Sequence, residues 1–205
     1  MSMIKPSEES SAAPHAALYP LLLRLAREAL AQFLAAGDLP AVEPQEEWLN
    51  EPAAVFVTLW VRERRDETAD GGELWAAGDL RGCVGQVEAN APLYAAVQEA
   101  VVKAATADPR FNPVSPAELD NLSIEISVLS PLRRVRSLEA IVIGRDGLLI
   151  VGDRRRGLLL PEVAVDYGWG REAFVRALCH KAGLPADAWP GKARLYAFTT
   201  ESFSE

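Results

Sequence analysis

The chain has 205 residues, 49% of them hydrophobic, and its 14 Gly and 14 Pro follow no period, which excludes a disordered or fibrous protein and allows one domain or two small lobes sharing a core. Its net charge of −8, from 21 Lys and Arg against 29 Asp and Glu, argues against attraction of the whole molecule to nucleic acid or anionic membrane. Two cysteines, Cys83 and Cys179, make no disulfide framework, and no secretory pattern or bilayer-length apolar run is present, so a reducing cytoplasm is the expected compartment.

Residues 1–14, rich in Ser, Glu, Ala and Pro, read as a disordered leader, and residues 15–205 as one folded domain. From His15 the pattern is helical, with Leu18, Leu21, Leu22, Leu25, Ala29 and Phe33 on one face and Gly37 then Pro40 as the stop. Val55 to Arg64 predicts a central strand, apolar on both sides. Asp66 to Gly72 reads as its polar turn, and Leu80 to Val87 as the returning strand. Asn90 is placed to cap a helix with Pro92 in its first turn and Leu93, Val97, Val101 and Ala104 as its buried stripe, ending at Asp108-Pro109. A short helical turn follows, with Ser115 as cap, Pro116 first, Glu118 third, and Val114 and Leu119 as a hydrophobic staple.

Leu122 to Leu129 alternates as a strand with one polar face carrying Ser123, Glu125 and Ser127. Ile141-Val142-Ile143 and Leu148 to Val151 flank Gly144-Arg145-Asp146-Gly147 and predict a hairpin. Pro161 to Asp166 predicts a short helix. Arg171 to Ala182 predicts another, with Phe174, Ala177 and Leu178 inward and Gly183 beyond its end, and Arg194 to Phe198 a final strand. Strands separated irregularly by hairpins and helices favour an α+β fold with a mixed or mainly antiparallel sheet flanked by helices.

The segment most suggestive of chemistry is Arg81-Gly82-Cys83-Val84-Gly85. Glycines inside a strand signal a bulge, a bend or close approach of another backbone. A bend there can present amides to an anion, with Arg81 as a charged fork whose charge favours a thiolate at Cys83. Equally, a free Cys is often a small buried hydrophobe. Three readings therefore stand: packing, anion contact and thiol chemistry. Histidine offers little help, since His15 adjoins the leader and His180 sits at the end of a helix; a Cys83–His180 pair would need Glu125, Asp166 or another acid to orient it. Glu125, between Ile124 and Ile126, can be an acid, a base or a partner for Arg if it faces a cleft. Phosphate-loop, paired-Cys, His-Glu-x-x-His and nucleophile-elbow motifs are missing from the sequence, so no cofactor or metal is assigned. A cluster of Arg133, Arg134, Arg136, Arg145, Arg154, Arg155 and Arg156, against Glu139, Asp146 and Asp153, forms a basic stretch on an acidic body.

Leu80-Arg81-Gly82-Cys83-Val84-Gly85 resembles the hallmark of the AMMECR1 domain family, whose prokaryotic members include AmmeMemoRadiSam system protein A. Val55-Phe56-Val57-Thr58-Leu59, Asp108-Pro109-Arg110-Phe111, Glu125-Ile126-Ser127-Val128-Leu129, Arg156 to Val163 and Leu178 to Leu184 leading to Trp189 are similar too, so the resemblance runs from about His15 to Phe203. It implies a larger and a smaller lobe with a cleft between them, and a component of a modification system shared with a Memo-like protein and a radical SAM protein. Two departures stand out: Arg62 to Gly78 is longer and more charged than the family's short turn, and Glu162 replaces the Gln frequent after the Pro.

Two functions fit these readings. In the first, a small polar or anionic substrate binds near Cys83, with Cys83 as nucleophile or redox thiol, Arg81 as clamp and Glu125 as orienting or proton-transfer group. Gly82, Val84, Gly85 and Arg110 then complete the binding surface. In the second, the chain is a non-enzymatic adaptor or ligand-binding module working through the Arg81–Gly85 loop and the basic patch around Arg154-Arg155-Arg156.

Overall fold

The computed structural model describes residues 15–41, 43–65 and 74–205, so the expected leader and the expected turn at 66–72 lie outside the described residues. Helix α1 (Tyr19–Ala36) is entered through a 3-10 turn at Ala16–Leu18 and closed by Gly37. Gly37 has φ 82°, a left-handed conformation natural to glycine, and its amide bonds back to the Phe33 carbonyl. The buried stripe is Leu22, Leu25, Ala26, Ala29 and Leu30, rotated from the expected one so that Leu18, Leu21 and Phe33 fall on its edges. A single turn, α2 (Glu47–Asn50), leads to the hairpin of β1 (Ala54–Arg65) and β2 (Leu74–Gln86).

Helix α3 (Leu93–Thr106) starts after Pro92, not after Asn90. The Asn90 side chain instead donates to Glu88 at 3.2 Å, so it is spent in the preceding turn. The expected short helical turn is a 3-10 turn at Pro116–Asn121 and has its capping box: the Ser115 amide and hydroxyl both donate to Glu118 Oε2, at 2.8 and 2.9 Å. Then come β3 (Leu122–Leu129), β4 (Arg133–Val135), β5 (Gly147–Val151), β6 (Arg156–Leu159), α4 (Pro161–Asp166), α5 (Arg171–Lys181), β7 (Arg194–Phe198) and β8 (Thr200–Ser204).

The hairpin expected around Gly144–Gly147 does not form. Ile141 is buried in the core but pairs with no strand, and β5 turns back through residues 152–155 onto β6 instead, with the Gly152 amide on the Arg155 carbonyl. The reason is Asp146. It is 1% exposed, and its carboxylate accepts from the Val142 amide at 3.0 Å and from Arg145 and Arg133 at 2.8 and 3.1 Å. That carboxylate folds residues 142–146 into a closed turn, and desertion by its donors would leave a buried charge unpaired.

Two four-stranded sheets result, ordered β2-β1-β3-β8 and β4-β7-β5-β6, with every pair antiparallel. The first carries α1 and α3 on one face over a core of Leu22, Leu30, Val57, Leu59, Val97 and Ile126. The second carries α5 over a core centred on Phe174, Leu148, Ile150 and Leu178. This is the expected α+β arrangement of a larger and a smaller lobe. The chain crosses between them at Ser130 and again at Thr199, and the crossings are tied to each other: the Ser130 amide bonds the Thr199 carbonyl, and the Thr199 amide bonds Ser130 Oγ, both at 2.9 Å. A third apolar cluster joins the lobes, with Phe56 of β1 packed among Leu149, Leu158, Tyr196 and Phe198. No helix among the described residues is long and apolar enough to cross a membrane.

Candidate functional site

Alternation along β1 decides what lies on each face of the first sheet. Val55, Val57 and Leu59 are wholly buried beneath the helices, which sends Phe56, Thr58 and Trp60 to the opposite face. Cys83 lies opposite Thr58, Thr58 lies opposite Glu125, and Glu125 lies opposite Ser204. Directly opposed residues share a face, so Cys83, Thr58, Glu125 and Ser204 form one polar row across four strands. Thr58 Oγ1 donates to Cys83 Sγ at 3.3 Å, and the Trp60 indole donates to Glu125 Oε2 at 3.2 Å. Cys83 is half-buried at this face, whereas Cys179 is enclosed in the smaller core, where burial pushes its thiol pKa up.

The two glycines serve close packing. A Cβ on Gly82 would stand 2.1 Å from the Ala104 carbonyl oxygen of α3, and one on Gly85 2.4 Å from the Phe56 ring and from the Val55 carbonyl. A bulge lies next to them. Leu59 faces Gly82 and Trp60 faces Leu80, leaving Arg81 as the extra residue without a partner. The Arg81 side chain is 15% exposed and committed to its own chain: Nε donates to Glu118 at 2.8 Å and Nη1 to the Asn112 carbonyl at 2.9 Å. With Arg81 as the principal cause, the Glu118 carboxyl is held down at about 2.

Cys83 receives a different charge. β2 is an edge strand, and the Cys83 amide points outward to Asp108 Oδ2 at 2.8 Å. Asp108, 5% exposed, also accepts a two-pronged contact from Arg110, at 3.0 Å from Nε and 2.7 Å from Nη2, and the Arg110 amide at 3.1 Å. The Arg110 guanidinium, foremost, holds the Asp108 carboxyl well below the usual range against the opposing pull of burial. Asp108 in turn holds Arg110 firmly protonated. Arg110 is 54% exposed and sits 5.4 Å from the centre of the Phe111 ring, so its outer side is open to a ligand.

Of the residues singled out in the sequence, Cys83 and Glu125 thus share a row, Arg110 is brought beside Cys83, and Arg81 is turned to Glu118. Val84 faces the helices and packs against the larger core. His180 lines a separate groove with Trp169, Arg176 and Leu184 in the smaller lobe. The arginine-rich stretch is divided rather than pooled: Arg133 and Arg145 serve Asp146, Arg155 reaches the Gly183 carbonyl, and Arg156 pairs with Glu88 at 2.6 Å. Thr58, Trp60 and Asp108 join the site without having been assigned to it. The alternation of β1 contained the signal for the first two, and the Asp108-Pro109-Arg110 spacing for the third. No group of three metal-binding side chains occurs among the described residues.

This edge strand, its glycines and its tie to the Asp-Pro-Arg-Phe segment coincide with a family match: the AMMECR1 model covers residues 23–203. The chain belongs to the AMMECR1 family. Family relatives include protein MJ0810 of Methanocaldococcus jannaschii, 39% identical over 89% of this chain and 88% of its own length. A Thermofilum pendens protein is 42% identical over 90% and 88%. The crystal structure of PH0010 from Pyrococcus horikoshii superposes with a TM-score of 0.72 at 38% identity, covering 90% of each chain. Within this AMMECR1 fold, Glu162 is exposed on α4 of the smaller lobe, and residues 66–73 of the longer, more charged segment lie outside the described part.

Proposed function

We propose that the polar face around Cys83 binds a small anionic substrate, with Arg110 as the anion contact and Cys83 as the nucleophile. The observation that carries this is the Asp108 tie, which fixes the guanidinium and the thiol strand to one carboxylate. Asp108 leaves Arg110's outer side free, while Thr58 donates to the sulfur. In the reaction the thiolate forms a bond to an electrophilic atom of the substrate, whose leaving group departs with the bonding pair, the thiol proton having passed to water. Glu125, oriented by Trp60, lies two strands away in the same row and is placed to hold a polar part of the same substrate. Membership in the AMMECR1 family supports placing this step in a modification system with a Memo-like and a radical SAM protein.

Alkylation of the native protein tests the reading. Iodoacetate and iodoacetamide differ mainly in charge, so Cys83 should react with both, and Arg110→Ala should lower the rate with iodoacetate more than with iodoacetamide. A Cys83 that labels only after unfolding, or a rate ratio that Arg110→Ala leaves unchanged, overturns it. Recovery of the two partner proteins on tagged wild-type chain tests the assignment to the system, and failure to recover either counts against it.

A further inference from the structure

Beyond Cys83, the same face of the larger sheet runs into a groove of about 460 Å³ between the lobes. One wall is the end of β2, with Gly85 and Gln86; the other is β6, with Arg156, Gly157 and Leu158. Both are edge strands of their sheets. The direction of their backbone groups follows from the pairing. The Cys83 amide points away from β1, and the register is regular from Cys83 to Gln86, so two residues on, Gly85 also points its N–H and C=O outward. In the β5–β6 hairpin the Gly152 amide bonds the Arg155 carbonyl, so the alternation turns the backbone groups of Arg156 and Leu158 away from β5. No hydrogen bond among the described residues reaches these groups.

A small molecule would satisfy few of them. An extended chain satisfies them in series, because its own N–H and C=O groups alternate sides at the same spacing. The groove is crossed by the Arg156–Glu88 pair, whose side chains are 65% and 58% exposed. An ion pair so exposed is worth little, so an incoming carboxylate can take over the arginine. Lys181 adds a second positive charge to the lining, and Phe56, Leu149 and Leu158 supply apolar contacts.

We infer that the groove receives an extended peptide segment with alternating apolar and acidic side chains, laid along the free edge of β6. This goes beyond the reading of Cys83 and uses none of the thiol. The probe is a fluorescein-labelled seven-residue peptide alternating Val and Glu, blocked at both ends and titrated into the full chain by fluorescence anisotropy. Saturable binding is expected. It should weaken about tenfold or more when Lys replaces Glu in the peptide, or when the protein carries Arg156→Glu with Lys181→Glu. The same peptide N-methylated at every other residue keeps its charges and loses strand pairing, and should bind at least about tenfold more weakly. Absence of saturable binding overturns the inference. So does binding that N-methylation leaves unchanged, which would mark the groove as a site for a small anion only.

Discussion

The closest approach in the hallmark segment is that of Gly82 to helix α3, and Gly82→Ala tests it with one methyl group. The new carbon would lie 2.1 Å from the Ala104 carbonyl oxygen and 3.0 Å from its carbon. Both obstacles belong to the backbone of α3, so no rotamer change relieves them. The helix must move off the sheet by more than an ångström, and it carries Leu93, Val97 and Val101, each fully buried. Overpacking of this kind costs about 1–3 kcal/mol, and a rigid obstacle puts it at the upper end. The smaller entropy of an unfolded chain with Ala in place of Gly offsets about 0.4–1 kcal/mol. A net loss of about 2 kcal/mol is expected, which for a chain of this size lowers Tm by about 4–8 °C. Urea unfolding followed by circular dichroism measures it, with Gly191→Ala, where nothing stands within 4 Å of the added carbon, as the control. A Gly82→Ala variant as stable as the control would mean that α3 does not rest on β2 at this point.

Asp108→Ala strands the Cys83 amide and removes the two-pronged partner of Arg110; a loss of about 2 kcal/mol is expected in urea unfolding, against a smaller loss for Arg110→Ala, whose side chain is half in water and whose removal leaves the Cys83 amide on Asp108. Equal losses in the two variants would contradict the central place given to Asp108. Acid should also unfold the protein in a defined window. Glu118 has a folded-state value near 2 against an ordinary 4.5, so its contribution is complete above about 4.5 and is lost as pH falls toward 2. Asp108 and Asp146 shift in the same direction. Urea midpoints measured between about pH 5 and 2.5 should fall, and fall less steeply for Glu118→Gln; parallel profiles would refute the Arg81–Glu118 assignment.

Much of the larger lobe was legible because its elements follow one period over several turns or pleats. β1 and β3 alternate without a break, and α3 keeps Leu93, Val97, Val101 and Ala104 in register. The capping box at Ser115 was legible for the same local reason. The smaller lobe was harder. β4 and β6 are only three and four residues long and sit at sheet edges, too short for alternation to report the pairing. β8 follows β7 after one residue and is largely polar, and it is a strand because β3 offers it an edge. At the site, the glycines announced a close approach, but the bulge fell on Arg81, and only the register shows that its side chain leaves the Cys83 face. Asp108 read as a helix end, because the partner that gives it a second role, the Cys83 amide, lies 25 residues away.

The row from Cys83 to Ser204 also bears on how the protein folds. Its members come from four strands, and their contacts span 25 residues from Thr58 to Cys83 and 65 from Trp60 to Glu125, with β8 added only by the last residues of the chain. Pairings of such separation close late, since loop entropy is spent before they form. The row therefore cannot exist in a chain that has folded only its helices or its first hairpin. Cys83 meets Thr58 once the first hairpin closes and Asp108 once the end of α3 is docked, whereas the Glu125 end of the row waits for β3 and β8.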